Sequence, residues 1–177
     1  MHTGLQIRSC DPGDHAGVDT VLKAAFPSAA EARLVVTLRA ADADTLELVA
    51  EDHGRVAGAV MFSPVTAISA NGAQSYGVGL GPVAVLPDRQ GRGIGAALIE
   101  AGLDYLKTLG VPWCVVLGAP DYYARFGFGP VSVQGWTWSG DPQGEHVDAF
   151  RLMPMTGPLQ QAAAPCRVHY HPAFDTV

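Results

Sequence analysis

The sequence predicts a mixed α/β fold built on a sheet of about six to seven mostly antiparallel strands. Three observations predict it. Short β-rich runs in the first half are separated by tight-turn residues, as antiparallel hairpins are. A strand–helix–strand stretch then spans Tyr76 to Leu117, and such a crossover joins parallel neighbours. Hydrophobic residues make up 48% of 177 positions, enough for one core, which sets wholesale disorder aside.

In chain order, Leu5–Arg8 is a short strand. Asp11 then caps a helix, with Pro12 at its first position and Asp14 in its first turn. Val18, Val21, Leu22 and Ala25 recur at i, i+3, i+4 and i+7 and give that helix one apolar stripe, which Pro27-Ser28 breaks. Glu31–Ala40 predicts a second helix with Leu34, Val35 and Leu38 inward. Leu46–Glu51 and Arg55–Phe62 form a hairpin across Asp52-His53-Gly54. Asn71-Gly72 turns the chain into a strand from about Tyr76 to Leu86. Gly77, Gly79, Gly81 and Pro82 interrupt this strand, and proline cannot donate to a ladder, so a bulge or splay is expected in the middle of the sheet.

Gly93–Leu109 is the clearest helix. Glu100, Asp104, Lys107 and Thr108 form one polar stripe, the remainder is apolar, and Gly110 with Pro112 ends it. Trp113–Leu117 is a continuous apolar run, as a central buried strand should be. A short helix around Asp121–Arg125 follows, then strands near Val131–Trp138 and Ala149–Met153. The organisation predicted is a single domain over residues 1–177, with a core of about 4–155 and an irregular tail over 157–177.

Composition narrows the function. A net charge of −6 argues against nucleic acid as a partner, since phosphate binding draws on clustered Lys and Arg, and it suits a cationic amine. Cys10, Cys114 and Cys166 are odd in number and lack CxxC spacing, so they read as free thiols in a reducing compartment. Arg8, Asp11 and Asp14 leave no apolar stretch for a signal peptide, and no run nears the ~18 apolar residues of a membrane span. The expectation is a cytoplasmic protein with no membrane association. His169 and His171 alternate without a third ligand, so no metal is expected. Trp136 and Trp138 alternate on a strand, more in keeping with packing than with the wall of a pocket.

The chemistry lies in Gln90-Gly91-Arg92-Gly93-Ile94-Gly95-Ala96, between a strand and a helix. The first turn of a helix has unpaired N–H groups and a partial positive charge, which together bind phosphate. Glycines let backbone approach the anion. A Walker A loop would need a Lys-Ser/Thr that is missing here. A dinucleotide loop would need a third glycine where residue 96 is Ala, and an acidic residue where Trp113–Leu117 ends in Gly118. Taken alone, a glycine-rich turn that merely enters a helix remains an equal reading.

Val83-Ala84-Val85-Leu86-Pro87-Asp88-Arg89-Gln90-Gly91-Arg92-Gly93-Ile94-Gly95-Ala96-Ala97-Leu98 resembles the acetyl-CoA-binding motif of the Gcn5-related N-acetyltransferase superfamily, whose pattern Gln/Arg-x-x-Gly-x-Gly/Ala is met by Gln90, Gly93 and Gly95. Downstream, Tyr122-Tyr123-Ala124-Arg125-Phe126-Gly127-Phe128 resembles that family's aromatic-Tyr-x-x-x-Gly-Phe segment. The two in order are more specific than either alone, and the resemblance extends over roughly residues 4 to 155. Among subgroups the chain is similar to an uncharacterised bacterial branch with an Ala-Pro-x-Tyr-Tyr-x-Arg-Phe-Gly-Phe segment.

The resemblance implies a sheet flanked by helices on both faces and an enzyme moving an acetyl group from acetyl-CoA to a primary amine by direct attack. The acceptor would be a small molecule or a peptide, and the protein a monomer or homodimer. Arg92, Gly93, Ile94, Gly95 and Ala96 would offer N–H groups to the pyrophosphate, with Gln90 and Gly91 completing the loop. Val83, Ala84 and Val85 would hydrogen-bond the pantetheine arm through their backbone, beside a slot opened by Gly81-Pro82. Arg89 and Arg92 would reach CoA phosphates. Tyr123 takes the position of the general acid, since a phenol of pKa about 10 stays protonated and can donate to a thiolate of pKa about 8.5. The family's basic Glu has no counterpart on Trp113–Leu117, and the Asn that often precedes the Tyr is replaced by Gly118-Ala119-Pro120. Glu31, Glu51, His53 and His146 are the candidate bases, or a water chain serves instead. The rival reading is a non-catalytic acyl-CoA-binding or regulatory domain; a nucleotide-binding protein is a third.

Overall fold

The computed structural model describes residues 4–131, 135–157 and 165–177, and these divide into two units. The first comprises Met1–Phe62, Gly81–Leu106 and Thr176–Val177; the second comprises Ser63–Leu80 and Lys107–Asp175.

In the first unit, β1 (Leu5–Ser9) and β3 (Arg55–Ser69) each pair antiparallel with β2 (Leu46–Asp52). The hairpin turn is tighter than expected, since Asp52 still pairs with Arg55 and only His53-Gly54 lie outside the ladder. Both have positive φ, 50° and 78°, the geometry that matches the right-handed twist of the flanking strands. Asp11 accepts from Gly13 N–H and Asp14 returns the bond from Asp11 N–H, a complete capping box leading into α1 (His15–Ala25). Val18, Val21 and Leu22 are buried on α1, and Ala32, Leu34, Val35 and Leu38 on α2 (Ala30–Ala40). The stripes are those predicted, except that Ala25 is only half-buried and Ala32 joins the buried face of α2.

A bulge in β3 separates the two faces. Glu51 pairs with Val56 but Ala50 pairs with Gly58, so Ala57 is the extra residue and Val56 and Gly58 point to opposite sides. Gly17 of α1 lies on Val56, 2.9 Å from where its Cβ would stand. Ile94 and Leu98 of α3 (Ile94–Thr108) lie on Gly58, each 3.1 Å from where a Cβ on that glycine would stand. Helices therefore cover both faces of this part of the sheet. Further along α3, Gly102 sits so close to the Phe62 ring that no Cβ could fit. Phe62, Leu98, Ile99 and Leu106 are fully buried, each worth about 1.5–3 kcal/mol of apolar burial.

In the second unit, the later half of β3 pairs antiparallel with β9 (Cys166–Tyr170), which pairs parallel with β7 (Thr137–Trp138). β4 (Gln74–Val85) pairs parallel with β5 (Trp113–Leu117) through Val78↔Cys114 and Gly79↔Val115 only. β5 then pairs antiparallel with β8 (Phe150–Pro154), and β8 with β6 (Gly129–Pro130). A short α4 (Pro120–Ala124) follows β5. Trp113, Val115, Trp136, Leu152 and Val168 centre the core.

Three expectations need correction. The tail from 157 is not irregular, because β9 occupies Cys166–Tyr170 and a 3-10 turn occupies Pro172–Thr176. Cys166 and Val168 face the core while Arg167 faces out, a period of two hidden by the flanking prolines at 165 and 172. β3 runs seven residues past Phe62, to Ser69, because β9 supplies a second partner there. Of the strand expected near Val131–Trp138, only Thr137–Trp138 is strand among the described residues, a separate two-residue strand, Gly129–Pro130, lies just before it, and Ser132, Val133 and Gln134 lie outside the described residues. Nine strands are present among the described residues, two of them only two residues long.

Candidate active site

The first unit holds the loop. Leu86 N–H bonds Ala57 O, and Pro87–Arg89 form a 3-10 turn closed by Arg89 N–H on Leu86 O. The Gln90 side-chain amide then donates to Val85 O at 3.0 Å, tying the loop back to β4. Gly91 and Gly93 have φ of 73° and 80°, in the left-handed region. Nothing lies within 4 Å of where their Cβ atoms would be, so this side of the loop is open. The first helical bond runs from Ala97 N–H to Gly93 O, leaving Ile94, Gly95 and Ala96 N–H without intrahelical partners. Their amides and the positive end of a four-turn helix converge on one spot, which fits a diphosphate.

Ala84 is buried, while Val83 and Val85 are half-buried. Arg89 departs from expectation: it pairs with Asp52 at 3.4 Å, which explains its placement without any phosphate. Arg92 is exposed and makes no ion pair among the described residues.

The second unit holds Tyr123. It sits half-buried on α4, its ring edge-on to Tyr122 (5.0 Å) and Phe128 (5.9 Å). Gly118 lies directly against the ring, where a side chain would collide. This accounts for Gly118 in the segment Gly118-Ala119-Pro120, where the resemblance often has an Asn ahead of the Tyr. The Tyr123 hydroxyl has no hydrogen-bond partner among the described residues, and burial, with smaller contributions from Tyr122 and Cys114, raises its pKa above the usual phenol. It therefore holds its proton at neutral pH. Tyr122 is differently employed, with the Arg125 guanidinium 4.0 Å over its ring, a cation–π packing role. Cys114 is fully buried and its thiol is pushed well up by burial, which removes it as a nucleophile.

The candidate bases separate clearly. Glu51 is bonded by Arg8 at 2.8 and 3.1 Å, His53 projects from the hairpin turn and His146 is exposed. Glu31, in the first turn of α2, is half-buried with Oε2 buried and unpaired. His171 Nδ1 accepts from Ala173 N–H, an ordinary structural bond. The one group with metal-ligand proximity among the described residues was not foreseen: Cys10, His15 and Glu47 have ligand atoms within 4.8 Å. Arg39 engages the Glu47 carboxylate through Nε and Nη2, and burial raises the Cys10 thiol to about 12, so both are otherwise committed.

Residues 17–128 match the family model described as acetyltransferase (GNAT) family. The chain is 43% identical over 125 residues to the uncharacterized N-acetyltransferase YhbS of Escherichia coli K12, covering 70% of this chain and 73% of that protein. It is 33% identical over 122 residues to YjhQ of the same organism, also an uncharacterized N-acetyltransferase, covering 68% and 67%. Among solved structures, E. coli YhbS in complex with CoA superposes with a TM-score of 0.84 at 34% identity, over 97% of this chain and 92% of that one. A GNAT family acetyltransferase from Brucella melitensis in complex with acetyl-CoA gives 0.77 at 39% identity, over 97% and 98%.

Proposed function

The chain belongs to the acetyltransferase (GNAT) family, and on that premise we propose how its own residues serve an acetyl-CoA-dependent N-acetyltransferase. Residues 1–177 form one N-acetyltransferase domain in this proposal, and the cosubstrate site is Val83–Val85 with Gln90–Ala96. The observation that carries it is the loop before α3, where open glycines precede three amides without helical partners. Structures of the YhbS and Brucella relatives with CoA and acetyl-CoA support the same ligand here.

Acetyl-CoA supplies the acetyl group as an activated thioester. Ile94, Gly95 and Ala96 N–H, aided by the helix terminus, hold the pyrophosphate, and Gln90 keeps Val85 and the loop in one arrangement. The backbone of Val83–Val85 aligns the pantetheine arm. Tyr123 carries the proton at Oη that the leaving thiolate needs, and its raised pKa keeps that proton available over the working range. Glu31, whose carboxylate oxygen lacks a partner, is the candidate to take the acceptor's proton. The relatives' description as N-acetyltransferases favours catalysis over a silent acyl-CoA-binding domain.

The acceptor is proposed to be a primary amine on a small molecule or peptide, and the protein a monomer or homodimer in the cytoplasm. Cys10 and Cys114 form no disulfide, which supports a reducing compartment, and no helix among the described residues is long and apolar enough to cross a membrane. The test is release of CoA thiol when acetyl-CoA and the full chain meet a panel of primary amines. Amine-dependent release supports the enzyme reading; tight acetyl-CoA binding with no release across the panel would favour the non-catalytic alternative.

A further inference from the structure

Two hydroxyls in the second unit remain unused by the chemistry above. Ser63 has 0% exposure and its Oγ has no partner. Tyr170, at the end of β9, also lacks a hydrogen-bond partner for its hydroxyl among the described residues. An unpaired buried hydroxyl such as that of Ser63 costs stability and calls for an explanation, and the phenol of half-buried Tyr170, with no protein partner among the described residues, is available to a ligand.

Both belong to one face of the sheet. From residue 63 onward β3 alternates, with Ser63, Val65 and Ala67 buried and Pro64, Thr66 and Ile68 less so. Val65 is the register partner of Tyr170. The Tyr170 ring lies across the backbone of Gly79, 2.6 Å from where a Cβ would stand, with Val65 at 3.0 Å from the same point. Gly79 is the last β4 residue paired with β5. The glycine thus admits an aromatic ring at the place where the parallel pairing stops, and β4 continues from there toward Val83–Val85.

The ring is part of a wall. Trp138 stands edge-on to Tyr170 at 6.1 Å, Phe174 lies beyond it at 5.1 Å, and Phe150 backs Trp138 at 6.3 Å. Trp138, Tyr170 and Phe174 are each only half-buried, whereas Trp136, edge-on to Trp113, is committed to the core. Partly open aromatic rings with one free hydroxyl suit a ligand that is apolar along its length and polar at one end.

Resting on the acetyltransferase reading above, we infer that the face of β3, β4 and β9 around Gly79 receives the amine acceptor, with the Tyr170 hydroxyl as its polar contact and Trp138 and Phe174 selecting a primary amine that carries an aromatic or apolar group. The phenol oxygen accepts from the acceptor's N–H, which leaves the nitrogen lone pair free. Burial raises the Tyr170 pKa strongly, so the group stays a neutral phenol and adds no charge.

The experiment titrates phenethylamine and, separately, ethanolamine into the full chain saturated with CoA, by calorimetry, for wild type and Tyr170→Phe. Phenethylamine should bind wild type at least about ten-fold more tightly than ethanolamine, and Tyr170→Phe should weaken it about ten-fold, the scale of one hydrogen bond to an amine. Melting temperature and acetyl-CoA affinity, read on the same samples, should match wild type in the variant. Equal binding of the two amines, no binding of either, or unchanged affinity in Tyr170→Phe overturns the inference while leaving the acetyltransferase reading intact. Wild type that fails to bind acetyl-CoA overturns both.

Discussion

At the scale of single residues, Tyr122 and Tyr123 are adjacent and chemically identical, yet their surroundings divide their roles. Tyr122 is covered by Arg125, while Tyr123 keeps a free hydroxyl above Gly118. Tyr123→Phe deletes one proton and preserves the ring, so turnover should fall about 10²–10⁴-fold, the usual share of a general acid, with acetyl-CoA affinity little changed. Single-turnover rates on an accepted amine are the check, since slow product release would mask the loss in steady state. Tyr122→Phe should be mild; a large loss there would shift the assignment by one residue. The role proposed for Tyr123 comes only from its motif, because a pair of aromatics on a short helix reads as packing. Tyr170 could not be found that way. Its significance comes from Gly79, ninety-one positions earlier, and no local pattern links the two.

At the scale of elements, what was legible is what local chemistry dictates. The Asp11 cap, the α1 and α2 stripes, the His53-Gly54 turn and the glycine stop of α3 are each decided within a few residues. What escaped was decided by distant partners: β9, the extension of β3 through Pro64 to Ser69, and the short β6 and β7. The Asp11–Asp14 cap does more than start a helix. Arg8 on β1 bonds Asp14 at 2.6 and 2.9 Å and Glu51 on β2 as well, joining two strands to the helix start. The Arg8 hydrogen bonds, with that from Asp11 N–H, hold the Asp14 carboxyl down at about 2. A carboxylate lowered in the folded state stabilises above its unfolded pKa of about 3.9 and loses that contribution as pH falls through the folded value. Asp14→Asn keeps an acceptor for Asp11 N–H and removes the charge. Its melting temperature should lie below wild type at pH 6, and the gap should close between pH 4 and pH 2. A gap that stays constant with pH would mean that the charge contributes nothing.

At the scale of the whole molecule, each unit carries a different share of the chemistry. The first holds the loop proposed to bind the pyrophosphate and Glu31, and the second holds Tyr123 and the Tyr170 face. This division was invisible in the sequence, where the two motifs simply follow one another. The glycine turn and the helix it opens were legible because helix entry, glycines and the flanking strand are contiguous in the chain. The choice of Glu31 among the four candidate bases was not, since its unpaired buried oxygen is a property of the folded surroundings. The relatives' likeness spans both units, so the cosubstrate claim applies to the full chain.

That claim is tested most directly by the melting temperature of wild type and Gly93→Val with and without acetyl-CoA. A ligand at a hundred times its dissociation constant stabilises by about 2.7 kcal/mol, which for a chain of this size is about 5–10 °C. Gly93 has φ of 80° with open space around it, so valine there strains the turn and stands between the Ile94–Ala96 amides and the pyrophosphate. The account predicts a rise of that order for wild type and little or none for Gly93→Val, with neither responding to NAD or ATP. An equal acetyl-CoA shift in both proteins, or a wild-type shift with NAD or ATP and none with acetyl-CoA, would contradict it.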